Sequence, residues 1–300
     1  MGAIPDAARG PVRDVSAGLA VEEIGDRLFL VTDGDYQALI ADTGEGIVAF
    51  DAPPWGEDYL VAIRRVSKAP VSHLVYSHAH YDHIGGAGHL GAAQVVAHRA
   101  TAEIVARHAD RRRPVPTLTF DREMTLDAGS LQVELRYHGP NHQDGNIFIY
   151  LPRHLVLMLV DVVVPGWVPF HALGGATDVA GYLAAHDTVL SYAFDTLVAG
   201  HLTRTGSASD VQVQREYLND VRRACARARQ SLDPGDIAAV TGTEDKWQFA
   251  SACFDRLAAT AASELLPRWA TRLGGAAAFT HSHCLAMALA LAHEWGEDDG

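Results

Sequence analysis

His78-Ala79-His80-Tyr81-Asp82-His83 packs four potential metal ligands into six residues. The segment before it, Val71 to Ser77, is built from strand formers with no glycine or proline and predicts a buried strand. If the extended conformation continues past Ser77, the period of two puts His78 and His80 on the same side. Ile84-Gly85-Gly86 then supplies the glycines that let the chain turn, so that Asp82 and His83 fold back towards them. Neutral imidazole and carboxylate are ligands that zinc accepts, and catalytic zinc keeps an open position beside them. The plain alternative is an exposed polar loop.

The hexapeptide resembles the HxHxDH signature of the metallo-β-lactamase superfamily, and five further segments match that family in order. Ala38 to Asp42 and Gly46 to Asp51 look like its paired early strands. His138-Gly139-Pro140-Asn141-His142 looks like the segment that delivers a third histidine to the first metal. Leu155 to Asp161 is similar to the apolar strand ending in a carboxylate that bridges two ions. Val198-Ala199-Gly200-His201 looks like the closing strand and its last histidine.

The resemblance implies that His78, His80 and His142 hold one zinc, that Asp82, His83 and His201 hold a second, and that Asp161 lies between them. Five imidazoles suit zinc, and two carboxylates offset part of the four positive charges. Two Zn2+ per chain are therefore expected, with other divalent metals, iron and manganese among them, as alternatives. Asp51 is a candidate for orienting a ligand histidine; the competing reading is a carboxylate capping the turn before Pro53-Pro54.

Other histidines carry less, since the chain has sixteen. His281-Ser282-His283-Cys284 is tightly spaced, but it opens an alanine-rich helical stretch. Helix positions two apart diverge by about 200°, which is poor for shared coordination.

Composition sets outer bounds. Three hundred residues, 48% of them hydrophobic, suit one large domain with or without an extension. The 24 basic against 37 acidic residues give a net charge of −13, which argues against nucleic acid or anionic membrane as partner. Cys225, Cys253 and Cys284 are odd in number and widely spaced, so no disulfide framework is expected. The apolar run from Leu155 contains Asp161 and Pro165 and is too short to span a bilayer. Without a signal-peptide pattern near Met1, a cytoplasmic location is the default expectation.

Residues 1–18 read as a flexible N-terminal arm, 19–232 as the catalytic domain and 233–300 as a C-terminal helical extension. Helices are expected over Asp58 to Ser67, Arg99 to Arg111, Thr177 to Tyr192, Glu244 to Leu266 and Ala276 to Trp295. Leu131 to Tyr137 alternates as a strand. A further helix, opened by a capping box of Ser209 with Gln212, is expected to run to about Leu232. Arg111-Arg112-Arg113-Pro114 reads as a solvated helix end. The family resemblance implies an α/β (α+β) four-layer αββα sandwich with metals at one edge.

That resemblance also implies a hydrolase whose zinc-bridged hydroxide cleaves an ester, lactone, thioester or amide of a small apolar acyl compound. Asp82 would both ligate and handle the proton. Trp167 and Phe170 follow Asp161 closely enough to wall the metals, or else pack in the core, and Arg204 either holds a substrate carboxylate or makes a salt bridge. The alternatives are a mononuclear iron enzyme resembling the persulfide dioxygenases and a silent binding protein. Val164 stands where some acyl-homoserine lactonases carry a tyrosine, which counts against that particular lactonase.

Overall fold

The computed structural model describes residues 4–294. One sheet takes the first seven strands in sequence order: β1 (Ala20–Gly25), β2 (Leu28–Thr32), β3 (Gln37–Asp42), β4 (Ile47–Phe50), β5 (Val71–Val75), β6 (Gln94–His98) and β7 (Leu118–Phe120). Pairing is antiparallel up to β4 and parallel from β4 to β7. The second sheet holds β8 (Glu123–Ala128), β9 (Leu131–Arg136), β10 (Phe148–Leu151), β11 (Val156–Met158) and β12 (Thr196–Val198), in the order β12-β11-β10-β9-β8. Only β11 and β12 pair in parallel there.

The helices are α1 (Glu57–Val66), α2 (Tyr81–Ile84), α3 (Ala87–Leu90), α4 (Arg99–His108), the short turn α5 (His171–Gly175), α6 (Val179–Val189), α7 (Ala208–Gln230), α8 (Pro234–Thr241), α9 (Lys246–Trp269) and α10 (Ala276–Glu294). Strand alternation sorts the side chains into layers. Leu39, Ala41, Val48 and Phe50 face the second sheet and meet Val133, Leu135, Ile149 and Met158. Ala38, Ile40, Ile47 and Ala49 face outward onto Tyr59, Ala62 and Ile63 of α1. The other face of the second sheet, through Phe148, Leu157 and Leu197, packs on α6, α7, α9 and α10. The fold is thus two mixed sheets face to face with helices outside both. Strands such as β3 and β4 are buried on both faces, which is why they read as continuous apolar runs.

Several local readings change in the structure. The capping box that opens α7 is Ser207 with Asp210, not Ser209 with Gln212. The helix expected from Thr177 to Tyr192, with Thr177 or Asp178 as its start, is α6, and Asp178 is its cap, the carboxylate accepting from Gly181 N at 2.6 Å. The strand expected from Leu155 to Asp161 is only three residues long, because Leu155 has a φ of 51° and regular pairing ends at Met158, although Leu159 N and Asp161 N still donate to the Val198 and Ala199 carbonyls. Arg113, at the expected solvated helix end, is buried. The last expected helix residue, Trp295, lies outside the described residues. Of the N-terminal arm, Asp6–Ala8 form a 3-10 turn whose Ala8 carbonyl accepts from Trp167 Nε1 at 3.0 Å.

The expected C-terminal extension shares its core with the second sheet. Leu257, Ala261, Leu265, Cys284 and Met287 belong to the same buried cluster as Phe148, Leu157 and Tyr217. Each fully buried large apolar side chain contributes about 1.5–3 kcal/mol. Among the described residues, no helix is long and apolar enough to cross a membrane.

Candidate metal centre

The ligand hexapeptide begins just beyond β5 and turns by becoming helical. His80 stays extended at φ −66° and ψ 142° and acts as the N-cap of α2, whose single turn carries Asp82 and His83. Gly85 and Gly86 have ordinary negative φ values, so they do not supply an unusual turn. Gly86 is needed for closeness instead: a Cβ there would stand 2.2 Å from the Pro53 carbonyl oxygen.

Seven of the expected ligands converge in two groups, His78, His80, His142 and Asp161, and Asp82, His83 and His201. Asp161 Oδ2 stands 3.4 Å from His78 Nε2, 3.1 Å from His83 Nε2 and 3.3 Å from His142 Nε2. Its Oδ1 is 2.9 Å from His201 Nε2. Asp161 is therefore the member that touches both groups. Asp82 Oδ2 lies 3.5 Å from His83 Nε2 and 3.8 Å from His201 Nε2, on the more exposed side.

The donor set fits divalent metal. His80 Nδ1 faces His142 Nε2 at 2.9 Å, and His83 Nε2 faces His201 Nε2 at 3.1 Å. Two neutral imidazole lone pairs that close repel unless a proton or a cation is shared between them. His78 Nε2 is buried with no hydrogen-bond partner, which for a polar atom in a core is costly. Burial works against the charge on His83, but Asp161 outweighs it and holds its pKa up at about 9. Burial depresses His142 to about 4 and His78 well below the ordinary histidine range, as suits neutral ligands.

Supporting residues hold these side chains. Ser77 Oγ gives its proton to Asp51 Oδ2 at 2.7 Å and meets His78 Nδ1 at 2.9 Å. With that proton spent, Ser77 accepts from Nδ1–H, which leaves the Nε2 lone pair facing the site. Ala79, between the first two ligands, is clamped by Gln143 Oε1 on its N–H and Arg113 Nη1 on its carbonyl, both at 2.9 Å. Asn146 Nδ2 donates to the Val160 carbonyl and to Asn141 Oδ1, which also accepts from His142 N. At the closing loop Gly200 has φ +86°, and a Cβ there would stand 2.5 Å from Val160 Cγ1 and 3.1 Å from His83 Cε1.

The candidate ligands open into a cleft of about 230 Å³ lined by His80, Asp82, His142, Asp161, Val164, Phe170, Gly174 and His201. A larger hollow of about 340 Å³ between α6, α7 and α10 contains none of them.

A family profile described as the metallo-beta-lactamase superfamily matches residues 29–201. The chain belongs to this superfamily. Its relatives include the 2,4-dinitroanisole O-demethylase subunit alpha of Nocardioides sp. (strain JS1661), 28% identical over 69% of this chain and 64% of that protein. They also include the metallo-beta-lactamase type 2 of Bacillus cereus, 22% identical over 49% of this chain and 61% of that protein. The chain thus matches less than two thirds of the length of either relative. Among solved structures, a metallo-beta-lactamase from Pontibacter korlensis is 25% identical with a TM-score of 0.58, covering 66% of this chain and 99% of that one.

Within this superfamily site, Phe170 lines the cleft and stands edge-on to His201 with ring centroids 5.2 Å apart. Trp167 does not line the cleft; its indole lies on Gly274, where a Cβ would be 2.5 Å away. Arg204 is tied to Asp210 by a short ion pair and also donates to the Thr205 carbonyl. Sequence reasoning missed Tyr36, whose ring sits 4.8 Å from that of His201. It also missed the clamps of Arg113, Gln143 and Asn146. The nearness of Asn141, Gln143 and Asn146 to His142 along the chain was the available signal.

Proposed function

We propose that this chain is a two-zinc hydrolase acting on an uncharged, partly apolar small molecule with an ester, lactone, thioester or amide bond. The observation that carries the reading is the convergence of two ligand groups on one carboxylate, Asp161. His78, His80, His142 and Asp161 would hold one ion, and Asp82, His83 and His201, with Asp161, the other. Bound there, divalent metal makes water nucleophilic near neutral pH and polarises a carbonyl. The chain's own part is positional. Phe170 and Val164 offer the apolar wall, and Tyr36 stands beside His201. Asp82, its side chain 40% exposed, is placed to take up and return a proton at its carboxylate. Among the described residues lining the cleft there is no lysine or arginine, and Arg204 is engaged elsewhere, which favours a neutral substrate. The net charge of −13 argues against a nucleic-acid or anionic-membrane partner.

A second reading keeps the site and changes the bond. The Nocardioides relative is named for removing a methyl group from an aryl ether, and an aromatic wall suits hydrolysis of an activated aryl methyl ether to a phenol and methanol.

Metal analysis of purified protein, joined to a screen of 4-nitrophenyl esters, lactones, thioesters and 2,4-dinitroanisole, tests both. We expect about two zinc ions per chain and turnover abolished by chelation. Asp82→Ala should lower kcat by about 10²–10⁴-fold without unfolding the chain. One iron per chain with oxygen consumption on a persulfide would overturn the hydrolase reading.

A further inference from the structure

The paired histidines of His281-Ser282-His283-Cys284 take no part in either metal group, yet His283 is buried at a meeting point of three elements. Its Nε2 donates to the Phe170 carbonyl at 2.8 Å, so its Nδ1 is the acceptor and receives the Tyr217 hydroxyl at 2.7 Å. Thr280 Oγ1 completes the chain 3.0 Å from Tyr217 Oη. One residue away, Ser282 Oγ accepts from Ala172 N at 3.0 Å and donates to the Phe279 carbonyl at 2.8 Å. Helix α10 thereby grips the segment 170–174 at two points.

That segment forms one side of the metal cleft. Phe170 and Gly174 line it, and the Phe170 carbonyl held by His283 also accepts from Gly174 N at 2.9 Å. Between them Ala172 and Leu173 run left-handed, at φ 53° and 60°. Non-glycine residues keep that conformation only where neighbours impose it. Just upstream, Val168 N donates to the Gly274 carbonyl and Gly274 N to the Gly166 carbonyl, each at 3.0 Å. The stretch from Gly166 to Gly174 is thus fastened to the C-terminal helical part along its length.

We propose that His283 and Ser282 are positioning residues of the metal cleft. By fixing Phe170 and the left-handed turn, the C-terminal helix sets which substrates fit. The proposal rests on the cleft being the substrate site. Ser282→Ala, His283→Ala and His283→Gln in metal-loaded full-length protein test it by amide hydrogen exchange, metal content and kinetics on two probes, 4-nitrophenyl acetate and the bulkier 4-nitrophenyl benzoate. Both alanine variants should exchange faster across residues 168–176 and keep their metal and the protection of 78–83. For the benzoate KM should rise about tenfold with kcat within about threefold; for the acetate both should hold. His283→Gln, whose amide can still donate to the carbonyl, should recover much of the loss. Unchanged exchange across 168–176 in a folded, metal-replete Ser282→Ala overturns the proposal, as does an equal loss on both esters accompanied by metal loss. If the unaltered protein turns over neither ester, the ester reading fails on its own, and the exchange measurement still decides whether α10 holds the wall.

Discussion

Asp51 reaches the candidate metal centre through one intermediary, Ser77, whose N–H and hydroxyl both donate to it at 2.7 Å. The carboxylate is fully buried, and burial pushes its pKa up to about 6 against the pull of His83 and the Ser77 hydrogen bonds. Its work is to fix the direction of the Ser77 proton and thereby the tautomer of His78. Ser77→Ala should lower metal affinity by about 10–100-fold while leaving the secondary structure intact. Competition with a chromogenic chelator measures this, and wild-type affinity in that variant would remove Ser77 from the metal's support. The sequence pointed to Asp51 because a ligand histidine needs an acceptor for its second ring nitrogen, and this carboxylate ends an apolar strand. The serine was not legible, because its role depends on β4 and β5 being parallel neighbours, a fact of pairing and not of local pattern.

Elements enter the site mostly by their ends. β5, β11 and β12 stop just short of the ligands, and α2 begins among them. Strand positions were legible from alternation and apolar runs, since burial on two faces leaves a strong pattern. Helix starts were less so. Ser207 and Ser209 both offer a hydroxyl at the start of α7, and the choice is made by Arg204, which holds Asp210 where it can cap Ser207 N at 2.9 Å. Both partners of this ion pair are largely covered, so it supports a cap and not merely a surface charge. Arg204→Ala should therefore cost about 1 kcal/mol of stability through the weakened cap. Urea unfolding gives that figure. KM for an anionic ester should stay level with that of a neutral one, and a selective loss on the anionic ester would return Arg204 to the substrate.

At the scale of the molecule, the helical layer on the second sheet buries ionisable groups that belong to neither ligand group of the candidate metal centre. His186 on α6 is fully buried, with Nδ1 3.0 Å from the Tyr182 carbonyl and Nε2 2.9 Å from Gln214 Nε2 of α7. Gln214 in turn holds Val162 and Val164, directly after Asp161, so the layer and the site are joined. Burial depresses the His186 pKa to about 4; backbone acceptors and Asp187 oppose that, and Arg215 of α7 adds to it. The sign follows from proton counts. Below the ordinary histidine pKa of about 6.5 the unfolded chain takes up a proton that the folded ring refuses, so the stabilisation is present above that pH and is lost as pH falls towards 4. One such group amounts to about 3 kcal/mol over the whole window, as an upper figure. His283, also depressed to about 4 by burial, adds a second contribution of the same sign. Chelated protein, free of metal release as a competing cause, should unfold at progressively lower urea from pH 6.5 to 4.5. His186→Gln removes one titrating group, so it should be less stable than wild type at pH 7 and show a visibly shallower pH slope. An unaltered slope in that variant would mean that His186 is already protonated in the folded chain, and that the Gln214 contact to the metal-site loop has a different proton arrangement.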